Sequence, residues 1–177
     1  HDVCVFLSHK PFRSTWISTN FPIFPSNSKE FEHYDGILIS PFTPTAAEVA
    51  SHSCARDKFF YLHSMESAYA FNGITWQERA RNAYSLPIKI FCTSHYVRTI
   101  LELIYHRNVI GQLVPPGIDP DIFNTVGRQF TCHIENRPLR VLIFGRGGYF
   151  RGNDVAIRGV QIAQQKIPID FRAIPDN

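Results

Sequence analysis

Two kinds of hydrophobic pattern alternate along this chain. Short, mostly apolar runs closed by turn-forming residues predict buried strands, and they lie at residues 3–7, 37–40, 58–62, 88–92, 109–114, 141–144 and 167–174. Stretches with apolar residues three or four positions apart predict helices between them, at 45–50, at 76–85 and after residues 94 and 153. This order predicts the α/β class, with a Rossmann-like parallel sheet that carries helices on its faces.

Polar residues just ahead of the helical stretches predict where each helix begins, because their side chains can accept hydrogen bonds from free N–H groups. The predicted caps are Thr45, Thr75 together with Glu78, Thr93 or Ser94, and Asn153 together with Asp154. The third helix has the clearest apolar stripe. It consists of Val97, Ile100, Leu101, Ile104 and Tyr105.

Residues 8–34 break this regularity. The segment is rich in Pro, Ser, Phe and Asn, and no period is sustained through it, which predicts an irregular surface segment. Its aromatic side chains either form a platform for an acceptor substrate or pack the segment onto the core. They are Phe12, Trp16, Phe21 and Phe24.

Two polar residues follow the predicted strand 58–62. His63 and Glu66 stand where a parallel sheet presents the carboxyl ends of its strands, and ligands bind beyond those ends in open α/β sheets. The pair can hold a substrate hydroxyl or stabilise charge on a leaving group. The alternative is structural, with His63 capping a loop and Glu66 solvated at a helix start. His95 and His106 are expected on an exposed helix side.

The glycine-rich stretch after strand 141–144 carries the strongest chemical signal. It contains Gly145, Arg146, Gly147, Gly148, Arg151 and Gly152. Glycine lets backbone N–H groups approach a ligand, a helix N-terminus attracts anions, and guanidinium groups bind phosphate oxygens. The stretch therefore predicts a site for a diphosphate-bearing ligand, with a plain structural turn as the alternative. A P-loop lysine is missing, and the glycines are out of register for a dinucleotide fingerprint.

Two motifs together resemble a known family. Gly145-Arg146, four further residues and Arg151-Gly152 before an aliphatic helix are similar to the Gly-Arg…Lys-Gly motif of retaining GT-B glycosyltransferases. Upstream, the stretch 114–119 (Val-Pro-Pro-Gly-Ile-Asp), followed by Phe123, resembles the segment that leads from the first domain of these enzymes into the second. The group that the chain resembles is glycosyltransferase family 4. Arg151 replaces the usual lysine, which keeps the charge but changes the donor geometry.

The resemblance implies a GT-B architecture of two facing Rossmann-like domains. Here these are an incomplete acceptor-side domain at 1–136 and the beginning of a donor-binding domain at 137–177. It implies transfer of a sugar from a nucleotide sugar to an acceptor hydroxyl, with retention at the anomeric carbon and without a metal or other cofactor. The donor would contact Gly145, Arg146, Gly147, Gly148, Arg151 and Gly152. Roles in catalysis fall to His63, Arg146 and Arg151, and substrate contacts to His63, Glu66 and Gly117.

One family motif is missing. Relatives carry paired glutamates further along the second domain, where they hold the donor ribose and sugar, and nothing after Gln165 supplies them. The expectation is therefore a fragment that is inactive alone and belongs to an active parent enzyme. The alternative is a non-catalytic or degenerate phosphate- or nucleotide-binding scaffold. A dinucleotide-dependent epimerase or dehydrogenase would need the missing fingerprint.

The amino-acid composition limits the classes of binding partner that we predict for this protein. The 177 residues include 18 Lys and Arg against 15 Asp and Glu, for a formal net charge of +3. Because no dense basic stripe occurs, nucleic acid is not a predicted partner. No apolar run has membrane-spanning length, so the prediction is a cytoplasmic protein, with peripheral membrane contact left open. The cysteines lack metal spacing and are expected to be reduced and mostly buried. They are Cys4, Cys54, Cys92 and Cys132.

Overall fold

The computed structural model describes residues 3–8, 20–69, 73–127, 137–145 and 152–175. The chain divides into two compact units, His1–Gly117 and Ile118–Asn177. This division falls inside the stretch 114–119, which the family resemblance predicts to be the passage between domains. The domain limits predicted at 136 and 137 stay a prediction, because 128–136 are outside the described ranges.

The first unit contains short parallel strands joined by helices. Its strands are β1 (Val5–Leu7), β2 (Ile23–Pro25), β3 (Ile37–Ser40), β4 (Asp57–Leu62) and β5 (Lys89–Cys92), and its helices are α1 (Lys29–Glu32), α2 (Thr43–Ser51), α3 (Ile74–Tyr84) and α4 (His95–Ile104). A 3₁₀ turn spans Glu66–Ala68. Strand β1 pairs in parallel with β2, and β3, β4 and β5 form a parallel sheet in that order. The α/β class is confirmed, and the arrangement is compatible with a Rossmann-like fold.

The core lies on one face of the β3–β4–β5 sheet. Successive strand residues point to opposite faces, and the buried set from β4 and β5 packs with residues of α2, α3 and α4. This cluster includes Phe60, Leu62, Ile90, Cys92, Ala46, Ala80, Tyr84, Val97 and Leu101. Full burial of one large apolar side chain contributes about 1.5–3 kcal/mol, so this face holds the unit together.

The opposite face of the same sheet is more open than predicted. The run 37–40 was expected to be a buried strand, but Ile37 and Ile39 are about half exposed, while Leu38 and Ser40 are buried. Right-handed connections that lead from β3 to β4 to β5 place their helices on one side of a sheet. The helices α2, α3 and α4 therefore cover only the face of the sheet on which the Leu38 side chain lies.

Two predicted helix starts are wrong. Helix α2 begins at Thr43, with Pro44 in its first turn, where proline is favoured. Thr45 is already helical, and its hydroxyl donates to the Phe42 carbonyl at 3.0 Å. Helix α3 begins at Ile74 after Gly73, whose φ of 81° favours glycine. Thr75 therefore lies inside α3, and no capping box forms with Glu78.

The third predicted start is confirmed. Ser94 caps α4, because its Oγ accepts a hydrogen bond from the N–H group of Val97 at 3.4 Å. Val97 and Leu101 of the predicted stripe are buried, whereas Ile104 is exposed at the end of the helix.

Two segments differ in regularity from the prediction. Within 20–34, which was expected to be irregular, β2 and α1 form, and the Phe24 ring stacks on the Phe6 ring with centroids 5.8 Å apart. That contact supports packing rather than a platform for Phe24, while Phe12 and Trp16 lie outside the described residues.

The predicted strand 109–114 follows β5 with one bridge, between Val109 and Ile90. It forms no regular ladder there.

The described part of the second unit is a single parallel β–α–β arrangement. Its elements are β6 (Leu139–Gly145), α5 (Asn153–Gln164) and β7 (Ile169–Pro175), and β6 pairs with β7 throughout. The run 141–144 was predicted to be buried on both faces, but Leu142 and Phe144 are 55% and 66% exposed. In the described part of the unit, α5 is the only helix that packs on these strands, so one face stays open.

The remaining sequence expectations are met in part. Among the described residues, Cys4, Cys54 and Cys92 are free thiols, as expected, although only Cys92 is buried. Cys132 lies outside the described ranges. His95 and His106 are exposed, as predicted, but His106 lies beyond the end of α4, with φ 51°. Where the structure describes the chain, none of its helices combines the length and apolarity needed to cross a membrane.

Candidate functional site

The glycine-rich stretch joins the carboxyl end of β6 to the first turn of α5. Gly145 is the last residue of β6, and Gly152 immediately precedes the helix. Gly152 has φ 67° and ψ 22°, in the left-handed region that favours glycine. The predicted donor contacts Arg146, Gly147, Gly148 and Arg151 lie outside the described residues. A strand end followed by a helix N-terminus is where α/β proteins bind phosphate.

The start of α5 corrects the predicted cap. Asn153 is the first helical residue, and Gly152 occupies the capping position that the pattern had assigned to the Asn153-Asp154 pair. Asp154 places a negative charge in the first turn, where the helix dipole stabilises it. A phosphate ligand would therefore depend on positive charge from the neighbouring arginines in the sequence to offset Asp154.

A second group of polar residues gathers at the carboxyl ends of β3, β4 and β5. The His63 side chain is exposed, and its ring lies 4.2 Å from the Tyr61 ring. The Thr93 hydroxyl donates to the His63 carbonyl at 2.8 Å, and the Thr93 N–H group donates to the Leu62 carbonyl at 3.2 Å. The turn after β5 thus holds the backbone of His63, while the imidazole stays open to solvent.

Glu66 is buried at the start of the 3₁₀ turn. It is only 6% exposed, so the interpretation as a solvated residue is wrong. Burial raises the pKa of the Glu66 carboxyl, whereas hydrogen bonds with the Thr43 side chain and backbone and the nearby His63 lower this pKa. Its predicted contact with substrate stays a prediction.

Hydroxyl groups behind the 3₁₀ turn hold it in place. The Ser67 N–H group donates to the Tyr84 hydroxyl at 3.1 Å, and the Ser67 and Tyr105 hydroxyl oxygens are 2.9 Å apart. The Tyr84 and Tyr105 rings meet edge to face at 4.9 Å. Burial raises the pKa of Tyr84. Glu66 therefore sits on a well-anchored turn.

Sequence patterns missed two further polar residues near the start of α2. Thr43 is 4% exposed, and its side chain and backbone are hydrogen-bonded to the Glu66 carboxyl. The Trp76 ring lies 5.5 Å from the Phe42 ring, and among the described residues its buried Nε1 has no hydrogen-bond partner. Thr43 follows β3 closely, so the rule that ligands bind beyond strand ends could have identified it. No local pattern singles out Trp76.

The predicted linker residues have ordinary structural surroundings. Gly117 is exposed, and a Cβ built on it would meet no atom within 4 Å, so packing does not require glycine there. Asp119 accepts a hydrogen bond from the Asp121 N–H group at 2.9 Å, so its carboxylate caps a local turn.

In the described parts of the chain, no three His, Cys, Asp or Glu side chains lie close enough together to hold a metal ion.

Comparisons with known proteins add nothing to these observations. Comparison with protein-family models, curated proteins and solved structures gives no match. The family resemblance therefore remains an expectation drawn from the two motifs.

Proposed function

We propose that this chain carries the acceptor side and the beginning of the donor side of a retaining glycosyltransferase that uses a nucleotide sugar. One observation supports this most directly: Gly145 ends a parallel strand and Gly152 caps a helix N-terminus. The intervening sequence carries Arg146 and Arg151. This is the charge and geometry that a diphosphate needs.

The proposed chemistry depends on charge stabilisation. Transfer breaks the bond between the anomeric carbon and the diphosphate oxygen, so negative charge builds up on the diphosphate as it leaves. Arg146 and Arg151 stabilise that charge, which is commonly the largest contribution in such reactions. On the acceptor side, His63 is exposed at the end of β4 and interacts with the transferring sugar or the acceptor hydroxyl.

The donor site is tested by the affinity for nucleotide sugars. We expect Arg146→Ala to weaken binding of the preferred nucleotide sugar about 10- to 150-fold, because a charge-assisted hydrogen bond contributes about 1.5–3 kcal/mol. Isothermal titration calorimetry on the intact protein measures this. Arg158→Ala is the matched control, because Arg158 is an exposed arginine further along α5. Equal affinities of the two variants would contradict the donor site.

The same titration separates the enzyme from a phosphate-binding scaffold. A scaffold predicts no selectivity among nucleotide sugars and little effect of Arg146→Ala. A glycosyltransferase predicts preference for one base and one sugar, and transfer to an acceptor by the full-length protein. If the full-length protein transfers sugar from no donor to any acceptor, the enzyme proposal fails.

A further inference from the structure

A large cavity lies between the two sheets of the first unit. In the described part of the chain, β1 pairs only with β2 and β3 pairs only with β4, so β1 and β3 each keep one free edge. A cavity of about 680 Å³ is lined by residues 3–8 around β1 and by residues 36–39 at β3. Pockets of about 300–1,000 Å³ are typical of sites that enclose a small molecule. The gap is therefore large enough to hold a ligand.

The wall of the cavity is mostly apolar and partly aromatic. The Phe6 ring packs edge to face against the Phe31 and Tyr34 rings, with centroids 5.1 Å and 5.4 Å away. Gly36 makes room for the Tyr34 ring, because a Cβ at Gly36 would lie 2.6 Å from it. Ile39 of β3 lines the same cavity and is 51% exposed. Such a wall favours an apolar guest, because side chains that face an empty gap lack dispersion contacts on that side.

The cavity follows β3 from one end to the other. Gly36, which precedes the strand, and Pro41, which follows it, both belong to the lining. Arg56 also belongs to the lining, and it lies at the amino end of β3, because its N–H group is within hydrogen-bonding distance of the Asp35 and Gly36 carbonyls, at 3.2 Å and 3.0 Å. The cavity therefore has an elongated apolar middle and a cation at one end.

Arg56 is available to bind an acid group at that end. It is exposed and takes part in neither of the two ion pairs found among the described residues. The adjacent Asp57 is already held by Lys89 at 2.7 Å. A guanidinium group stays charged, and its fork of donors matches the two oxygens of a carboxylate.

Glu48 is the other charged residue of the lining, and it stands beside the apolar middle. Helix α2 leads from the carboxyl end of β3 back towards the amino end of β4, and Glu48 lies near the middle of this helix. The head group at the end of an elongated guest therefore meets Arg56 rather than Glu48.

We propose that the cavity between β1 and β3 binds a free aliphatic carboxylic acid, with its chain along β3 and its carboxylate at Arg56. The aliphatic chain matches the apolar wall, and the guanidinium group donates charge-assisted hydrogen bonds to the carboxylate. This binding goes beyond the proposed glycosyltransferase function and does not depend on it. If Glu48 selected the guest instead, the cavity would prefer an amine.

Chain length tests the apolar part of the site in the unaltered protein. Isothermal titration calorimetry with hexanoate, octanoate and decanoate should show saturable binding at one site per chain. The affinity should rise about fourfold for each added methylene group, as expected for burial against an apolar wall. No saturable binding, or an affinity that does not change with chain length, would overturn the proposal.

The head group tests the role of Arg56. Arg56→Ala should weaken octanoate binding about two- to fivefold, as expected for an exposed ion pair, and should leave the affinity for octanol unchanged. Arg79→Ala is the matched control, because Arg79 is an exposed arginine of α3 outside the cavity lining. Equal octanoate affinities in the two variants, or tighter binding of octylamine than of octanoate by the parent, would reject the carboxylate as the ligand.

A blocked cavity tests the location of the site. Ile39→Trp places a large ring in the cavity and should abolish octanoate binding, whereas Leu103→Trp, at an exposed position of α4, should not change it. Circular dichroism confirms that each variant is folded. Parental octanoate affinity in folded Ile39→Trp would place the site elsewhere and overturn the proposal. If Ile39→Trp does not fold, the chain-length series and Arg56→Ala decide the matter.

Discussion

The two units bury their sheets to very different extents. In the first, Phe60 of β4 and Ile90 of β5 are fully buried beneath α2, α3 and α4. In the second, Leu142 and Phe144 of β6 are more than half exposed, and the described part of α5 has no buried residue. Similar apolar runs thus produce a core strand in one unit and a half-covered strand in the other. The number of helices that pack on the sheet makes the difference.

Removal of one large ring from each unit should reveal this contrast most strongly. We expect Phe60→Ala to lower the free energy of unfolding by about 3–5 kcal/mol, because it leaves a cavity in packed surroundings. Phe144→Ala should change the free energy of unfolding by less than about 1 kcal/mol. Urea denaturation followed by circular dichroism measures both. Comparable losses in the two variants would show that Phe144 is covered in solution.

Helix caps provide a smaller test within the first unit. Ser94→Ala should destabilise the protein by about 0.5–2 kcal/mol, because the Val97 N–H group loses its acceptor. The same measurement on Thr75→Ala should show a change within about 0.5 kcal/mol, because Thr75 lies inside α3 and caps nothing. A larger loss for Thr75→Ala than for Ser94→Ala would restore the capping box as the start of α3.

The buried carboxyl of Glu66 should affect the pH profile of stability rather than its overall size. Burial raises its pKa in the folded state above the usual value of 4.5, so the folded protein binds this proton more tightly than the unfolded chain does. The resulting stabilisation is complete below the unfolded pKa and is lost as pH rises through the folded pKa. Glu66→Gln should therefore gain stability relative to the parent as pH increases from 4.

Thermal unfolding of parent and variant between pH 4 and pH 8 measures this effect. Glu102→Gln, at an exposed position of α4, is the control and should follow the parent. Parallel profiles for the parent and Glu66→Gln would show that the Glu66 carboxyl titrates alike in both states.

The sequence pattern located strands and helices more accurately than it located the residues at which they begin and end. The runs 37–40, 58–62 and 88–92 overlap β3, β4 and β5, because β propensity and closing turn residues act over a few neighbours. Thr75 and Thr45 were misplaced as caps because Gly73 and Pro44 set the backbone at these helix starts. Capping residues compete, and a single sequence does not show which one prevails.

The candidate site was only half visible from the sequence. His63 and Glu66 were found because they follow a strand, and the glycine-rich stretch was found by its composition. Phe42 and Trp76 stand 34 positions apart in the printed sequence, and their rings meet only through the packing of α3 on α2. Pattern reasoning has no access to such a long-range contact.

The sequence by itself determined the α/β class, most of the order of strands and helices after residue 36, and the position of the glycine-rich stretch between a strand and a helix. These follow from local conformational preferences and from hydrophobic periodicity. Only the tertiary structure decided that Leu38 is buried while Ile39 is half exposed, that Glu66 is enclosed while His63 is open, and that Phe144 is uncovered. Burial depends on which distant elements pack against a side chain, and no run of neighbouring residues contains that information.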